Sequence, residues 1–94
     1  MAIYLINPLV PDPTPINNAV EQRIDAPDRY RLQANKGWLV VYPGTSVELS
    51  NHIGITGQPD GTPSLGSAII VPFSSYYGRG PTEMWEWLKT RFER

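Results

Sequence analysis

The chain carries few side chains of the types that catalyse reactions or bind metals. It has no cysteine and one histidine, His52, which stands in neither an HxxxE nor an HxH spacing. Without cysteine there is no disulfide, thiol nucleophile or Cys-based metal site, and a lone histidine is a weak metal or catalytic candidate. Among the acidic residues, Glu48 and Glu83 fit helix starts, while Asp25 and Asp28 fit a turn. The sequence therefore predicts no catalytic residue, no metal site and no cofactor.

The strongest candidate for binding a small anion or nucleotide is Gly78-Arg79-Gly80, which stands directly before a predicted helix. Free N–H groups at a helix start, together with the Arg79 guanidinium, are suited to a phosphate. The chain has no Walker or dinucleotide glycine pattern. A tight strand-to-helix turn is the simpler interpretation of the same residues, and both interpretations stay open.

Three aromatic residues, Tyr76, Tyr77 and Trp87, form a candidate partner-binding surface. The two tyrosines are adjacent on a predicted edge strand, so one of them should face outward. Trp87 points partly away from the buried stripe of its helix, which contains Trp85 and Leu88. Exposed Trp and Tyr are typical anchors of protein interfaces, and an open edge strand beside them favours pairing with a second copy. The alternative is that Trp87 packs over the rim of the core.

Size and charge limit the classes of partner. The 94 residues predict a single domain spanning 1–94. A net charge of −1 gives no field that would attract nucleic acid or an anionic membrane. The apolar run at 2–6 is too short for a signal peptide or a membrane span. We therefore expect neither a membrane nor a nucleic-acid partner, and a cytoplasmic location.

The clearest local signals lie in residues 37–55. An apolar run at 38–42 predicts a strand that is buried on both faces. Thr45 and Glu48 have the spacing of a capping box, in which each side chain accepts a backbone N–H at a helix start. Gly54 is placed to end that helix in the left-handed conformation, with Ile55 folding back onto Leu49.

The remaining segments extend this pattern to the order β-α-β-β-α-β-α. Residues 2–6 form a second strand that is apolar on both faces, and Pro15 starts a helix with Thr14 as its cap. Residues 30–34 alternate as in a half-buried strand. A strand at 68–77 contains Pro72, which cannot donate to a ladder and so predicts an edge or a bulge. A final helix covers 82–92.

This order predicts an α+β domain of ferredoxin-like type with an additional C-terminal helix. The plan is a four-stranded antiparallel sheet in the order 4-1-3-2 with two helices on one face. It requires strands one and three to be central, and these are the two continuously apolar strands. It requires strands two and four to be edges, and these are the alternating strand and the proline-containing strand. Agreement between independent signals is the main argument for the fold.

On this order and the opening strand, residues 2–77 resemble the small dimeric CRISPR-associated integration protein of ferredoxin-like type and the virulence-associated ribonuclease of toxin systems. The resemblance implies a homodimer formed through sheet edges. In those families an aspartate ends the first strand, whereas Asn7 stands at that position here. An asparagine cannot act as a carboxylate ligand or base, so nuclease activity would need another carboxylate, such as Asp12.

The favoured interpretation is a non-enzymatic protein-interaction module, homodimeric and bound to a further, unknown protein. We expect such a module to serve as an accessory or inhibitory factor of a bacterial, phage or mobile-element system. Two alternatives remain. One is a metal-dependent ribonuclease of the toxin type that uses Asp12, and the other is a sensor of small anions or nucleotides at Arg79.

Overall fold

The computed structural model describes residues 2–75 and 77–92. These residues form four strands and three helices. Two short 3-10 turns, at Ala26–Asp28 and Gln33–Asn35, flank the second strand. The strands and helices, in chain order, are β1 (Ala2–Pro8), α1 (Thr14–Arg23), β2 (Arg29–Arg31), β3 (Trp38–Tyr42), α2 (Ser46–Ile53), β4 (Ala68–Phe73) and α3 (Thr82–Phe92).

The four strands form one antiparallel sheet in the order β2-β3-β1-β4. This is the predicted order read from the opposite edge. The two continuously apolar strands are central, as predicted, because a strand that is apolar on both faces is stable only when both faces are covered. The shorter β2 and the proline-containing β4 are the edges.

The sheet has a helical layer on each face. On one face, which we call the α1/α2 face, Tyr4 and Ile6 of β1 pack with Ile16 of α1 and Leu49 of α2. On the other, the α3 face, Ile3 packs in a second buried cluster around Leu88 of α3. Alternate residues of β1 thus enter opposite clusters, as the two-residue period of a strand requires.

Helix α2 begins and ends as the sequence predicts. The Glu48 N–H donates to Thr45 Oγ1, and the Thr45 N–H donates to Glu48 Oε1, both at 3.1 Å. Gly54 is left-handed, with φ of 101°. The N–H groups of Gly54 and Ile55 both donate to the Ser50 carbonyl. The capping groups therefore satisfy backbone donors and acceptors that the helix itself leaves unpaired.

Both predicted edge strands are too long, and the predicted cap of α1 is wrong. Strand β2 stops at Arg31 because Ala34 and Asn35 take φ of 56° and 57° in the turn to β3, where no strand can continue. Strand β4 stops at Phe73, which pairs with Ile3 near the start of β1. Further along, β4 would soon lack a partner in the described part of β1.

Helix α1 includes Thr14 as its first residue instead of using it as the cap. The acceptor is Asp12, whose Oδ1 receives the Thr14 backbone N–H at 3.1 Å and the Thr14 hydroxyl at 2.6 Å. Asp12 lies one position before the N-cap residue, Pro13, which makes no side-chain capping bond, so the Asp12 carboxylate accepts the N–H that the first helical residue leaves unpaired. The helix ends at Arg23, and Pro27 lies in the following 3-10 turn.

Candidate functional site: the open edge of β4

The two edges of the sheet differ in how well they are protected. Strand β2 has three residues, and its two arginines are engaged nearby: Arg29 donates to the Ile24 carbonyl, and Arg31 lies 3.9 Å from the Glu21 carboxylate. Short, charged edge strands resist pairing with other chains. Strand β2 therefore offers little to a partner.

Strand β4 is the unprotected edge. Its six residues, AIIVPF, carry no charge. Ile69 is 50% exposed and Val71 is 43% exposed, and both lie on the α3 face, opposite Asn7 and Leu5 of β1. Uncharged edges with exposed β-branched residues are the surfaces on which chains add strands. Apart from Pro72, β4 has none of the usual devices that prevent such pairing.

The hydrogen-bond pattern shows which backbone groups of β4 face outward. The Leu9 N–H donates to the Ser67 carbonyl at 2.8 Å, and this pair continues the register in which Asn7 lies opposite Ile69. Bonded and non-bonded pairs alternate along an antiparallel ladder. Odd-numbered residues of β4 therefore direct their backbone groups towards β1, and even-numbered residues direct theirs away from the sheet.

The outward-facing residues are Ala68, Ile70 and Pro72. Ala68 and Ile70 each present an N–H and a carbonyl, whereas Pro72 presents only a carbonyl. No other described strand pairs with this side of β4. Proline is tolerated here because its missing N–H lies on the open side of the ladder. The result is a row of backbone donors and acceptors that is available to one added strand.

Each face of the sheet has a groove next to β4. A groove of about 480 Å³ on the α1/α2 face is lined by Val47, Ile55 and Ile70 among others. A groove of about 410 Å³ on the α3 face is lined by Val71 and the start of α3. An added strand points alternate side chains to opposite faces, so both grooves lie where its side chains would go.

The structure describes two of the three predicted aromatic residues, Tyr77 and Trp87, and their surroundings differ. Tyr77 is fully exposed and lines the groove on the α3 face, although it lies beyond the end of β4. Tyr76 lies outside the described residues. Trp87 packs inward: its ring centroid is 6.1 Å from that of Tyr30, and the Arg91 guanidinium lies 4.7 Å from it. Part of the Trp87 surface is therefore used within the chain, and its contact with a partner stays a prediction.

The predicted anion site is an open loop. Gly78 has φ of 152°, and a Cβ placed on it would meet no atom within 4 Å; Arg79 is exposed. The Gly80 carbonyl accepts the Trp85 indole N–H at 3.1 Å. Glu83 supplies a negative charge in the first turn of α3, where an anion would otherwise be favoured. The loop is thus hydrogen-bonded to the first turn of α3. Anion binding at this loop stays a prediction.

His52, the lone histidine, contacts the end of α1. Its Nε2 lies 2.9 Å from the Arg23 carbonyl, and its ring centroid is 5.6 Å from that of Tyr42. A carbonyl only accepts, so Nε2 is the protonated nitrogen in this contact. Within residues 2–75 and 77–92, no group of three or more His, Cys, Asp or Glu side chains is arranged to hold a metal.

Asp12 is the carboxylate that the ribonuclease alternative would use. In the structure it accepts two hydrogen bonds from Thr14. The two hydrogen bonds from Thr14 hold the pKa of Asp12 below its ordinary value of 3.8. A lowered folded-state pKa stabilises the protein above the unfolded value, and the stabilisation is lost as the pH falls through the folded value. The ionised Asp12 carboxylate therefore stabilises the first turn of α1, from the position before the N-cap residue Pro13.

We expect Asp12→Ala to be less stable than wild type at pH 7, with the difference shrinking as the pH falls below about 3.8, the ordinary aspartate pKa. Urea unfolding at a series of pH values measures this. The matched control is Asp60→Ala, which removes an exposed loop carboxylate and should show no such difference. A constant deficit for Asp12→Ala down to pH 2 would contradict this role of the ionised carboxylate.

Comparison of the chain with family models, with curated proteins and with solved structures finds no match in any of the three. In the described part of the chain, no helix combines the length and the apolar character needed to cross a bilayer.

The sequence predicted an edge or a bulge at β4 but missed its two apolar residues with exposed side chains, Ile69 and Val71. Pro72 gave the signal for the edge. Ile69 and Val71 were hidden because AIIVPF reads as one continuous apolar run. The alternation of a strand could have found them. Residues two apart share a face, so Ile69 and Val71 lie together, and an edge strand has a neighbour on one side only, which leaves such a pair less covered.

Proposed function

We propose that this protein is a small non-enzymatic interaction module that binds an extended chain segment along the open edge of β4. The observation that carries the proposal is the uncharged edge strand with Ile69 50% and Val71 43% exposed. Main-chain hydrogen bonds to Ala68 and Ile70 supply affinity in this mode of recognition, and grooves for alternate side chains supply specificity.

The fold belongs to this proposal as well. We infer a ferredoxin-like fold, which is supported by the order of the first six elements and by the packing of α1 and α2 against the same face of the sheet. Helix α3 is an addition to that plan on the other face. A cytoplasmic location, and a role as an accessory or inhibitory factor of a bacterial, phage or mobile-element system, complete the proposal.

The experiment is a selection of linear ten-residue peptides by display on the wild-type protein, followed by amide hydrogen exchange with a selected peptide bound. We expect the outward N–H groups of Ala68 and Ile70 to gain protection relative to the free protein, measured at a dilution at which the free protein is monomeric. The N–H groups of Ile69 and Val71 already bond to β1, so their protection should change little.

A variant that carries a charge on β4 tests the same edge by mutation. Ile69→Lys should weaken the selected peptides about tenfold or more, because a charged residue on an edge opposes strand addition. Gln22→Lys adds the same charge to an exposed position of α1 and should leave binding unchanged. Peptides that bind Ile69→Lys as well as wild type, and that leave Ala68 and Ile70 unprotected, would overturn the proposal.

A further inference from the structure

We propose that the segment added to β4 is β4 of a second copy of this chain, antiparallel and centred on Ile70. This inference rests on the proposed function and names the partner at the same edge. A two-fold axis through Ile70 would join two four-stranded sheets into one continuous sheet and would remove both open edges at once.

The backbone groups of the edge are complementary to themselves in this register. Ile70 lies opposite Ile70 of the second copy, and each Ile70 N–H donates to the other Ile70 carbonyl. Each Ala68 N–H donates to the Pro72 carbonyl across the axis. Pro72 offers no donor, so each of the two Ala68–Pro72 pairs carries one bond, and with the two Ile70 bonds this register has four. A register that places Pro72 opposite Ile70 has only two bonds within residues 68–73, one in each Ile70–Pro72 pair.

The exposed side chains select among the remaining registers. With Ile70 on the axis, Ile69 faces Val71 of the second copy on the α3 face. These are non-bonded pairs, whose Cα atoms come to about 4.5 Å and whose side chains touch most closely. A register centred on Ile69 keeps as many backbone bonds but places Val71 opposite Ser67. The Ile70-centred register is the one that covers both exposed apolar residues of each copy.

Electrostatics do not oppose the pairing. Strand β4 carries no charge, so no like charges meet across the axis. The net charge of the whole chain is −1, and the repulsion between two copies is correspondingly small. The other edge, β2, has two arginines among its three residues and would place like charges against each other if it paired with itself.

The test uses charges that complement each other in only one register. We expect wild type to sediment as a dimer, and Ile69→Lys and Val71→Glu each to sediment as a monomer. An equimolar mixture of the two variants should form a heterodimer, because the introduced lysine then faces the introduced glutamate at one contact, while Val71 faces Ile69 at the other. Gln22→Lys, which adds the same charge on α1, should remain a dimer.

The outcomes separate this inference from the proposed function. Restoration of the dimer in the mixture supports the Ile70-centred register, and circular dichroism of each variant alone checks that it is folded. If wild type is a dimer but the mixture of Ile69→Lys and Val71→Glu stays monomeric, this register is overturned. A wild type that stays monomeric at millimolar concentration overturns the self-pairing. If selected peptides still protect Ala68 and Ile70 in that case, the proposed function stands without it.

Discussion

Gly37→Ala is expected to destabilise the fold severely, by about 3 to 5 kcal/mol. Gly37 precedes β3 with φ of 119°, and a Cβ built there lies 1.9 Å from the Ile6 carbonyl oxygen. That oxygen belongs to the backbone of a central strand and cannot rotate away as a side chain could. Urea unfolding measures the loss, and the thermal midpoint should fall by about 4 to 8 °C for each kcal/mol.

Gly54→Ala separates steric clash from backbone strain in this prediction. Gly54 also has a positive φ, 101°, but a Cβ placed on it would be 3.7 Å from the nearest atom, an ordinary contact. Its replacement should cost about 1 kcal/mol, from the left-handed conformation alone. Equal losses for the two variants would mean that the close approach of Gly37 to β1 does not exist in solution.

The central sheet and α2 could be predicted from the sequence because several local signals agreed there. β1 and β3 are continuously apolar, and only central strands bury both faces. The Thr45–Glu48 spacing and the glycine at 54 define α2 through contacts only a few residues apart. Features that depend on near neighbours in the chain are the ones that a single sequence can specify.

The lengths of the edge strands could not be predicted in the same way. Tyr30 and Leu32 alternate with polar neighbours, but the chain between β2 and β3 needs a turn, and Ala34 and Asn35 adopt positive φ to make it. β4 ends near the point where the described part of β1 begins. The first limit is set by the backbone of the turn and the second by the register between β1 and β4, and hydrophobic periodicity contains neither.

The position of α3 decided which surface is available. The sequence identified its buried stripe but gave no indication of which face of the sheet it covers. In the structure α3 covers the face opposite α1 and α2, and this packing places Trp87 against Tyr30 of β2. Trp87 is therefore partly covered, whereas Ile69 and Val71, at the edge of that face, stay exposed.

Leu88→Ala is expected to cost about 2 to 5 kcal/mol, as much as Leu49→Ala on the other face. Leu88 is 3% exposed and Leu49 is 0% exposed. Leu88 packs with Ile3, Leu39 and Val41 of the two central strands, so truncation leaves a cavity at the centre of the α3 face. If α3 is part of one cooperative unit, tryptophan fluorescence, which reports Trp85 and Trp87 of α3 together with Trp38 of β3, should follow the same unfolding curve as circular dichroism.

Lys89→Ala is the matched control, because it truncates the adjacent, exposed residue of the same helix and should change stability by less than about 0.5 kcal/mol. A loss of under about 1 kcal/mol for Leu88→Ala, with tryptophan fluorescence changing before circular dichroism, would mean that α3 detaches independently. The apolar residues beneath it would then be open to a partner, and the proposed binding would no longer need the β4 edge. A loss of about 2 to 5 kcal/mol in the free energy of unfolding would mean that α3 stays packed on the sheet. The open edge of β4 would then be the surface to which a second chain can add.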